Sequence, residues 1–143
     1  MNSYLRVQSG NQFFAVPVAD VDRVYVPENI TSIPGAPVCI RGAISIAGSI
    51  YVVADMRHLA CGLLANVDVK SRIVCLVNPV AGAMFSILVD RVLEIVSIGD
   101  EQLQSSERDS TYSWHRRVNS IDTPLFVTSA AEIYAATNAS CIG

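Results

Sequence analysis

The stretch Val38–Val53, VCIRGAISIAGSIYVV, alternates residue by residue between two kinds of side chain. Its even positions hold valine, isoleucine or glycine, and its odd positions hold mostly smaller or polar residues. Successive side chains of a β-strand point to opposite faces, so the alternation predicts strand with the even positions buried. Gly42 and Gly48 interrupt the even row where a small barrel must bend, because glycine permits tight coiling and close approach. We therefore predict two sharply bent strands. Their outward-facing residues are Arg41, Ser45 and Ala47.

Shorter runs of β-branched and aromatic residues predict further strands on either side of this stretch. Near the start, Tyr4–Gln8 and Phe13–Val18 flank the turn residues Ser9-Gly10-Asn11, which indicates a hairpin. The polar segment 99–111, GDEQLQSSERDST, has the composition of a loop. The remaining predicted strands are Val21–Val26, Ile73–Val77, Met84–Val89, Val92–Ile98, Tyr112–Val118 and Ile121–Thr128.

Two helices complete the prediction. Asp55 can cap a helix over residues 56–61, and Gly62 is a suitable C-terminal stop. Near the end of the chain, Ser129 and Glu132 have the spacing of a capping box. Many short strands, glycine-rich turns and a terminal helix indicate a mostly β protein, built as a closed barrel or a pair of barrels.

The composition indicates a folded chain that is poor in charge. Its 143 residues fit one domain and are enough to bury a core. Hydrophobic residues make up 51% of the chain and charged residues 16%, against a usual charged share of about 25%. Either the core is large for this length, or part of the surface is apolar and is covered by a partner.

Charge and hydropathy argue against two classes of partner. The chain has 10 basic and 13 acidic residues and a net charge of −3, whereas nucleic-acid binding needs a basic face. No apolar run approaches the roughly 18 residues of a membrane span, and the first residues lack the regions of a secretory signal. We therefore expect a cytoplasmic protein with no nucleic-acid partner and no membrane insertion.

Patterns that would indicate catalysis or metal binding are missing from the sequence. The two histidines, His58 and His115, have no partner at metal-ligand spacing. There is no nucleophile elbow and no phosphate-binding glycine loop. We therefore predict no catalytic residue, no metal and no cofactor. The four cysteines form no C-x-x-C pair and adjoin apolar residues, which predicts buried, inert thiols. They are Cys39, Cys61, Cys75 and Cys141.

Residues 30–57 contain a series of short motifs in a definite order. They are the run ITSIPGAP at 30–37, the triplet Ile40-Arg41-Gly42, the glycine at 48 and the segment Ala54-Asp55-Met56-Arg57. Their order and spacing resemble the pattern of the CheW-like domain family. Upstream, FAVPV at 14–18 and VDRV at 21–24 are similar to further family motifs, as is ILVDRVLEIV at 87–96 downstream. The resemblance covers most of the chain between Phe13 and Ile98.

This resemblance implies a mostly β fold of two small SH3-like β-barrels that share a core, with a short helix near residues 56–61 and a C-terminal helix. It implies that residues 1–143 form a single domain. The implied function is a non-catalytic adaptor that couples chemoreceptors to a CheA-type histidine kinase in a chemotaxis or pilus-motility pathway. The kinase would dock on the first barrel, and the tip of a methyl-accepting chemoreceptor would meet the groove between the barrels.

Two departures from the family pattern fall at exposed positions. Arg23 stands where the family usually has a glutamate, and Ala47 stands where it usually has an arginine. A charge reversal at a partner-facing position repels one partner and favours another. We therefore expect a divergent member whose partners differ from the usual ones. The predicted protein-binding residues are Val21, Arg23, Val24, Arg41, Ser45 and Ala47.

Two other functional classes stay open on the sequence alone. A small-ligand-binding regulatory domain would use the crevice between the barrels, with Tyr112, Trp114 or His115 at its mouth. An enzyme would need the carboxylates of Asp55 and Asp90 to approach each other across a cleft. The simpler roles for these two aspartates are a helix cap and a turn acceptor.

Overall fold

The chain begins with the predicted hairpin, in which β1 (Asn2–Ser9) and β2 (Gln12–Pro17) pair antiparallel. The computed structural model describes residues 2–77, 84–99, 107–108, 116–119 and 124–142. Within these ranges the strands form one six-stranded and one five-stranded sheet. The strands that follow are β3 (Val21–Tyr25), β4 (Ile40–Ile46), β5 (Ser49–Asp55), β6 (Arg72–Leu76), β7 (Phe85–Val89), β8 (Arg91–Ile98), β9 (Glu107–Arg108), β10 (Arg116–Asn119) and β11 (Pro124–Val127).

These strands confirm the mostly β prediction, with two qualifications. The late pair is present as β10 and β11, while residues 112–115 and 120–123 lie outside the described part of the chain. The two residues of β9 pair with β10, although the polar composition of 99–111 predicted only loop. Pairing of so short a strand depends on backbone hydrogen bonds to its neighbour, which composition does not reveal.

The five-stranded sheet, in the order β3-β6-β7-β5-β4, is strongly curled. β3 and β5 are three strands apart in this order, about 14 Å on a flat sheet. Yet the Tyr51 hydroxyl on β5 donates a hydrogen bond to the Asp22 carboxylate on β3 at 3.3 Å. Among the described residues neither sheet closes by a continuous ladder, so complete closure of a barrel is absent. The predicted alternative, two small units that share a core, is confirmed.

Both sheets contribute to one hydrophobic core, as the shared-core prediction requires. Two helices, α1 (Met56–Cys61) and α2 (Ala130–Ile142), pack onto it. The core residues from the six-stranded sheet are Leu5, Val7, Phe14 and Val16. Those from the five-stranded sheet are Ala54, Val74, Leu76, Phe85, Ile87 and Val89. The curled sheet also encloses a second cluster of its own, which includes Ile44, Ile46, Tyr51, Val53, Ile73, Cys75 and Leu88.

Both helix caps form as predicted. The Asp55 side chain accepts a hydrogen bond from the backbone N–H of His58 at 3.1 Å, and α1 ends at Gly62 in the left-handed conformation. At the start of α2, the Ser129 hydroxyl accepts a hydrogen bond from the backbone N–H of Glu132 at 3.2 Å. Satisfying these N–H groups by side chains is what fixes where each helix begins.

The burial pattern of the Val38–Val53 stretch matches the prediction in β4 and reverses it in β5. It is also reversed before β4, where Val38 is exposed and Cys39 is buried. Ile44 and Ile46 are buried, but Ile50 is 67% exposed while Tyr51 is buried. The two-residue turn at 47–48 places Ile46 opposite Ser49, and side chains of directly opposed residues share a face. The buried side chains are therefore the even-numbered ones before the turn and the odd-numbered ones after it. The prediction that the even-numbered residues are buried throughout is wrong for β5.

The cysteine prediction is wrong for one residue. Cys39 and Cys75 are buried, whereas Cys61 is exposed, and the side chain of Cys141 lies outside the described residues. Cys61 belongs to the last turn of α1, in which Met56 and Leu59 face the core. At a rotation of about 100° per residue, position 61 falls on the opposite side of the helix.

Gly42 is the glycine that the fold requires most strictly. Its φ angle is 144°, and a Cβ at this position would lie 2.2 Å from the carbonyl oxygen of Thr31. Thr31 approaches this closely because its backbone exchanges two hydrogen bonds with Ala43, at 2.8 and 2.9 Å. The predicted role of Gly42, close approach at a bend in the strand, is therefore present in the structure.

We predict that Gly42→Ala lowers the free energy of unfolding by more than about 3 kcal/mol, because the clash is with backbone. Gly48→Ala is the matched control, since Gly48 also has positive φ but a Cβ there meets no atom of the described residues within 4 Å. It should cost about 1 kcal/mol. Urea denaturation of both variants measures the difference. Equal losses would contradict the steric role assigned to Gly42.

Candidate protein-binding surface

The predicted protein-binding residues occupy the two edge strands of the five-stranded sheet. Val21, Arg23 and Val24 lie on β3, and the other three lie on β4 and its turn. Because the Asp22–Tyr51 hydrogen bond joins β3 to β5, the curl brings the β3 edge towards the β4–β5 hairpin. The structure thus places the predicted residues on one curled sheet, although their side chains have different environments.

The β3 edge is apolar and open. Val24 is 41% exposed, and its neighbours Tyr25 and Val26 are exposed to a similar degree. Val21 is partly buried against the shared core, so only part of it faces solvent. Among the described residues β3 forms a ladder only with β6, so its other edge presents backbone groups beside these side chains. Such an edge is suited to bind another protein. β4, at the opposite end of the ladder, is partly covered by the Thr31 bridge.

Arg23 forms an ion pair with its neighbour on the same strand. Its Nε lies 3.6 Å from Oδ2 of Asp22, and both side chains are about two-fifths exposed. Exposed pairs of this kind contribute little to stability, typically below about 1 kcal/mol. The pair is therefore available to rearrange against a partner. Asp22 was not among the predicted residues, although its place between Val21 and Arg23 on an edge strand could have indicated it.

Arg41 has a structural partner inside the protein. Its guanidinium donates to Oδ2 of Asp55 at 3.1 Å and to the backbone carbonyl of Ala65 at 2.9 Å. Asp55 is completely buried, while a quarter of the Arg41 side chain is exposed. Oδ2 of Asp55 also accepts the backbone N–H of Ala65 at 2.9 Å. Arg41 therefore neutralises a buried carboxylate and presents only part of its side chain to solvent.

Ser45 and Ala47 belong to the exposed end of the β4–β5 hairpin. Ser45 lies directly opposite Ile50, the most exposed apolar residue of β5. Ala47 has a φ angle of 51° and Gly48 one of 82°, and two consecutive positive φ values are those of a type I′ turn. Ala47 lacks the glycine or asparagine side chain that this turn prefers, so its position carries some backbone strain.

Burial raises the pKa of two groups behind this surface. The pKa of the Cys75 thiol rises from 9.0 to about 11, chiefly because burial disfavours the thiolate. The pKa of the Tyr51 hydroxyl is also raised, first by burial and then by the nearby Asp22 carboxylate. Both groups are protonated at neutral pH, so the interior of the curled sheet carries no charge from them.

The two aspartates of the enzyme alternative have separate structural roles. Asp55 is enclosed and caps α1, while Oδ2 of Asp90 accepts the backbone N–H of Gly10 at 2.7 Å. No hydrogen bond among the described residues joins them. These contacts are the helix cap and the turn acceptor that the sequence favoured for them.

A polar cleft of about 240 Å³ lies where the β1–β2 turn meets α1 and the β7–β8 turn. This volume is below the range of about 300–1,000 Å³ typical of small-molecule sites, and its lining is not apolar. The ligand-binding alternative placed three residues at the mouth of the crevice. These residues, Tyr112, Trp114 and His115, lie outside the described part of the chain. The cleft is lined by Gln8, Gly10, Arg57, Asn66, Asp68, Asp90 and Arg91.

Comparison with known proteins agrees with this architecture. The family model of the CheW-like domain matches residues 3–120, and the chain belongs to that family. Among solved structures, the chain is similar to the scaffolding protein TtCheW from Thermoanaerobacter tengcongensis, with a TM-score of 0.76 and 20% identity. That match covers 88% of this chain and 82% of the other. No curated protein sequence matches the chain significantly.

The described residues contain no helix that is both long and apolar enough to cross a membrane. In the same part of the chain, no group of three or more histidine, cysteine, aspartate or glutamate side chains is placed so that it could hold a metal ion.

We predict that Asp55→Asn lowers the free energy of unfolding by about 3 kcal/mol or more, because it leaves the half-buried Arg41 guanidinium without its counter-charge. Glu94→Gln is the control, since it removes the exposed Arg6–Glu94 ion pair and should cost less than about 1 kcal/mol. Thermal and urea unfolding measure both variants. Similar losses would show that the buried ion pair contributes no more to stability than the exposed one.

We predict that stability falls as the pH rises from 9 to about 11, in part because of Cys75. Over that window the unfolded thiol ionises while the buried thiol stays protonated, so deprotonation favours the unfolded state. Cys75→Ala should therefore lose stability less steeply over this window than the unsubstituted chain, and the two should run parallel below it. Urea unfolding at a series of pH values measures the slopes. Identical slopes would show that ionisation of Cys75 contributes nothing to the loss.

Proposed function

We propose that this protein is a cytoplasmic, non-catalytic scaffold that couples chemoreceptors to a CheA-type histidine kinase in a chemosensory pathway. The observation that carries the proposal is the open, apolar β3 edge on a chain of the CheW-like family. The similar structure from Thermoanaerobacter tengcongensis is itself described as a scaffolding protein. The structural roles of Asp55 and Asp90 also favour a binding protein over an enzyme using this pair.

The kinase would dock on the curled five-stranded sheet. Val24 supplies apolar area there, and the Asp22–Arg23 pair stands beside it on the same strand. Apolar contact area gives most of the affinity of such an interface, while charges select the partner and its register. A partner that offers a carboxylate opposite Arg23 is favoured, and one that offers a cation is disfavoured. This is how the Arg23 departure would redirect partner choice.

The receptor would contact the region between the two sheets. The polar cleft lies there, and the β1–β2 turn from the six-stranded sheet forms one of its walls. Both sheets also share one core, so the two binding regions would be held at a constant distance. We propose on this basis that residues 1–143 act as a single domain.

The test is capture of the purified chain by the regulatory domain of a CheA-type kinase encoded in the same genome, measured by biolayer interferometry. We expect Val24→Ser and Arg23→Glu each to weaken capture by about 1–3 kcal/mol. Ile95→Ser is the matched control, because Ile95 is also an exposed apolar strand residue but lies on β8 of the other sheet. It should leave capture unchanged.

Thermal unfolding of each variant verifies that the fold is retained. No capture of the unsubstituted chain by any such kinase would refute the coupling role. If Val24→Ser and Arg23→Glu leave capture unchanged while Ile95→Ser abolishes it, the kinase binds the other sheet.

A further inference from the structure

The loop 62–71, between α1 and β6, exposes a concentration of apolar side chains that the proposed kinase surface does not use. Val69 is 90% exposed and Leu63 is 61% exposed, and Leu64 and Val67 are exposed as well. Four such residues fall within seven positions of the chain. Isolated exposed apolar residues are ordinary, but a group of them in one segment is typical of an interaction site.

The first half of this loop is held to the buried ion pair. Both backbone polar groups of Ala65 are bound: its N–H donates to Asp55 and its carbonyl accepts from Arg41, each at 2.9 Å. The Ala65 side chain is itself buried in the interior of the curled sheet. Leu63, Leu64 and Val67 therefore project from a segment whose centre is fixed.

The second half is held by the Asp68 carboxylate. Its Oδ1 accepts the backbone N–H groups of Lys70 at 2.8 Å and Ser71 at 3.1 Å, and also the Arg91 guanidinium at 3.1 Å. These bonds hold the pKa of Asp68 below its ordinary value, chiefly through the backbone N–H of Lys70. A loop ordered in advance loses little entropy on binding, which favours affinity.

Basic side chains outnumber acidic ones around the loop, on a chain whose net charge is −3: Arg57, Lys70, Arg72 and Arg91 lie in or beside it, against Asp68 and Asp90. In the described part of the chain, Arg57, Lys70 and Arg72 form no ion pair with a carboxylate. Nε of Arg57 is buried and has no hydrogen-bond partner among the described residues, and Arg57 shares the polar cleft with Asn66 of the loop. Unpaired cations beside exposed apolar groups are complementary to a ligand that combines apolar side chains with carboxylates.

We propose that the 62–71 loop binds an amphipathic segment of another protein, whose apolar side chains cover Leu63, Leu64, Val67 and Val69 and whose flanking Asp or Glu residues pair with Arg57, Lys70 and Arg72. This surface is separate from the β3 edge and does not depend on the identity of the kinase. It adjoins the polar cleft proposed for the receptor, which Arg57, Asn66 and Asp68 also line. A membrane surface fits less well, because recognition of anionic lipid uses clusters of about four to eight basic residues, and this loop carries Asp68 at its centre.

The experiment is a titration of the full isotope-labelled chain, observed through its backbone amide resonances. The probe is a synthetic amphipathic peptide of about 15 residues with leucines at helical spacing and glutamates on both flanks. A counterpart with lysine in place of each glutamate is the charge control. We expect the glutamate peptide to shift the amides of 62–71, and the lysine peptide to bind at least about tenfold more weakly.

Two substitutions test the residues themselves. Val69→Ser and Lys70→Glu are each expected to weaken binding of the glutamate peptide about tenfold or more. Ile95→Ser on β8 should leave this binding unchanged. All three side chains are exposed, so the variants should fold, and their unperturbed amide spectra verify this.

Several results would overturn the proposal. These are shifts confined to the β3 edge, equal affinity for the two peptides, and the absence of binding by either peptide. Shifts of the loop amides that grow with protein concentration alone would show a second copy as the occupant. Binding to phosphatidylglycerol vesicles that is lost in Val69→Ser would show a lipid surface instead. Failure of kinase capture leaves this result unaffected, because that test concerns different residues.

Discussion

The buried carboxylate of Asp55 holds together the parts of the structure on which both proposed surfaces depend. It accepts hydrogen bonds from α1, from the 62–71 loop and from Arg41 on β4. A fully buried charge is tolerated only when it is paired and its oxygens are satisfied. This requirement fixes where β5 ends, where α1 begins and where the loop after α1 must return to the sheet.

The two surfaces then differ in how they are supported. The 62–71 loop has no regular secondary structure, and it keeps its shape through side-chain acceptors bound to its backbone. The β3 edge depends on the ladder to β6 and on the curl that brings Asp22 to Tyr51. One five-stranded sheet can therefore present both an open edge and an ordered loop, because its interior cluster and the shared core hold it from both faces.

The residues that match the family pattern and those that depart from it fall in different environments. Gly42 and Asp55 match, and each is confined, one by the Thr31 carbonyl and the other by complete burial. Arg23 and Ala47 depart, and both are exposed. A change at a confined position costs folding energy, whereas a change at an exposed position alters mainly what the protein can bind. Such a chain can keep the fold of its family while its partners change.

The amino-acid sequence by itself determined most of the strands and both helix caps, because these depend on neighbouring residues and on backbone geometry. It indicated close approach at Gly42, but the Thr31 carbonyl that requires glycine there reaches it only in the folded chain. Only the tertiary structure decided that Ile50 faces solvent, since the parity of burial depends on how the turn at 47–48 pairs β4 with β5. It also decided that Arg41, predicted to face outward, neutralises Asp55, and that the 62–71 loop is ordered. Those outcomes require residues distant in the chain to meet, and local periodicity carries no information about which of them do.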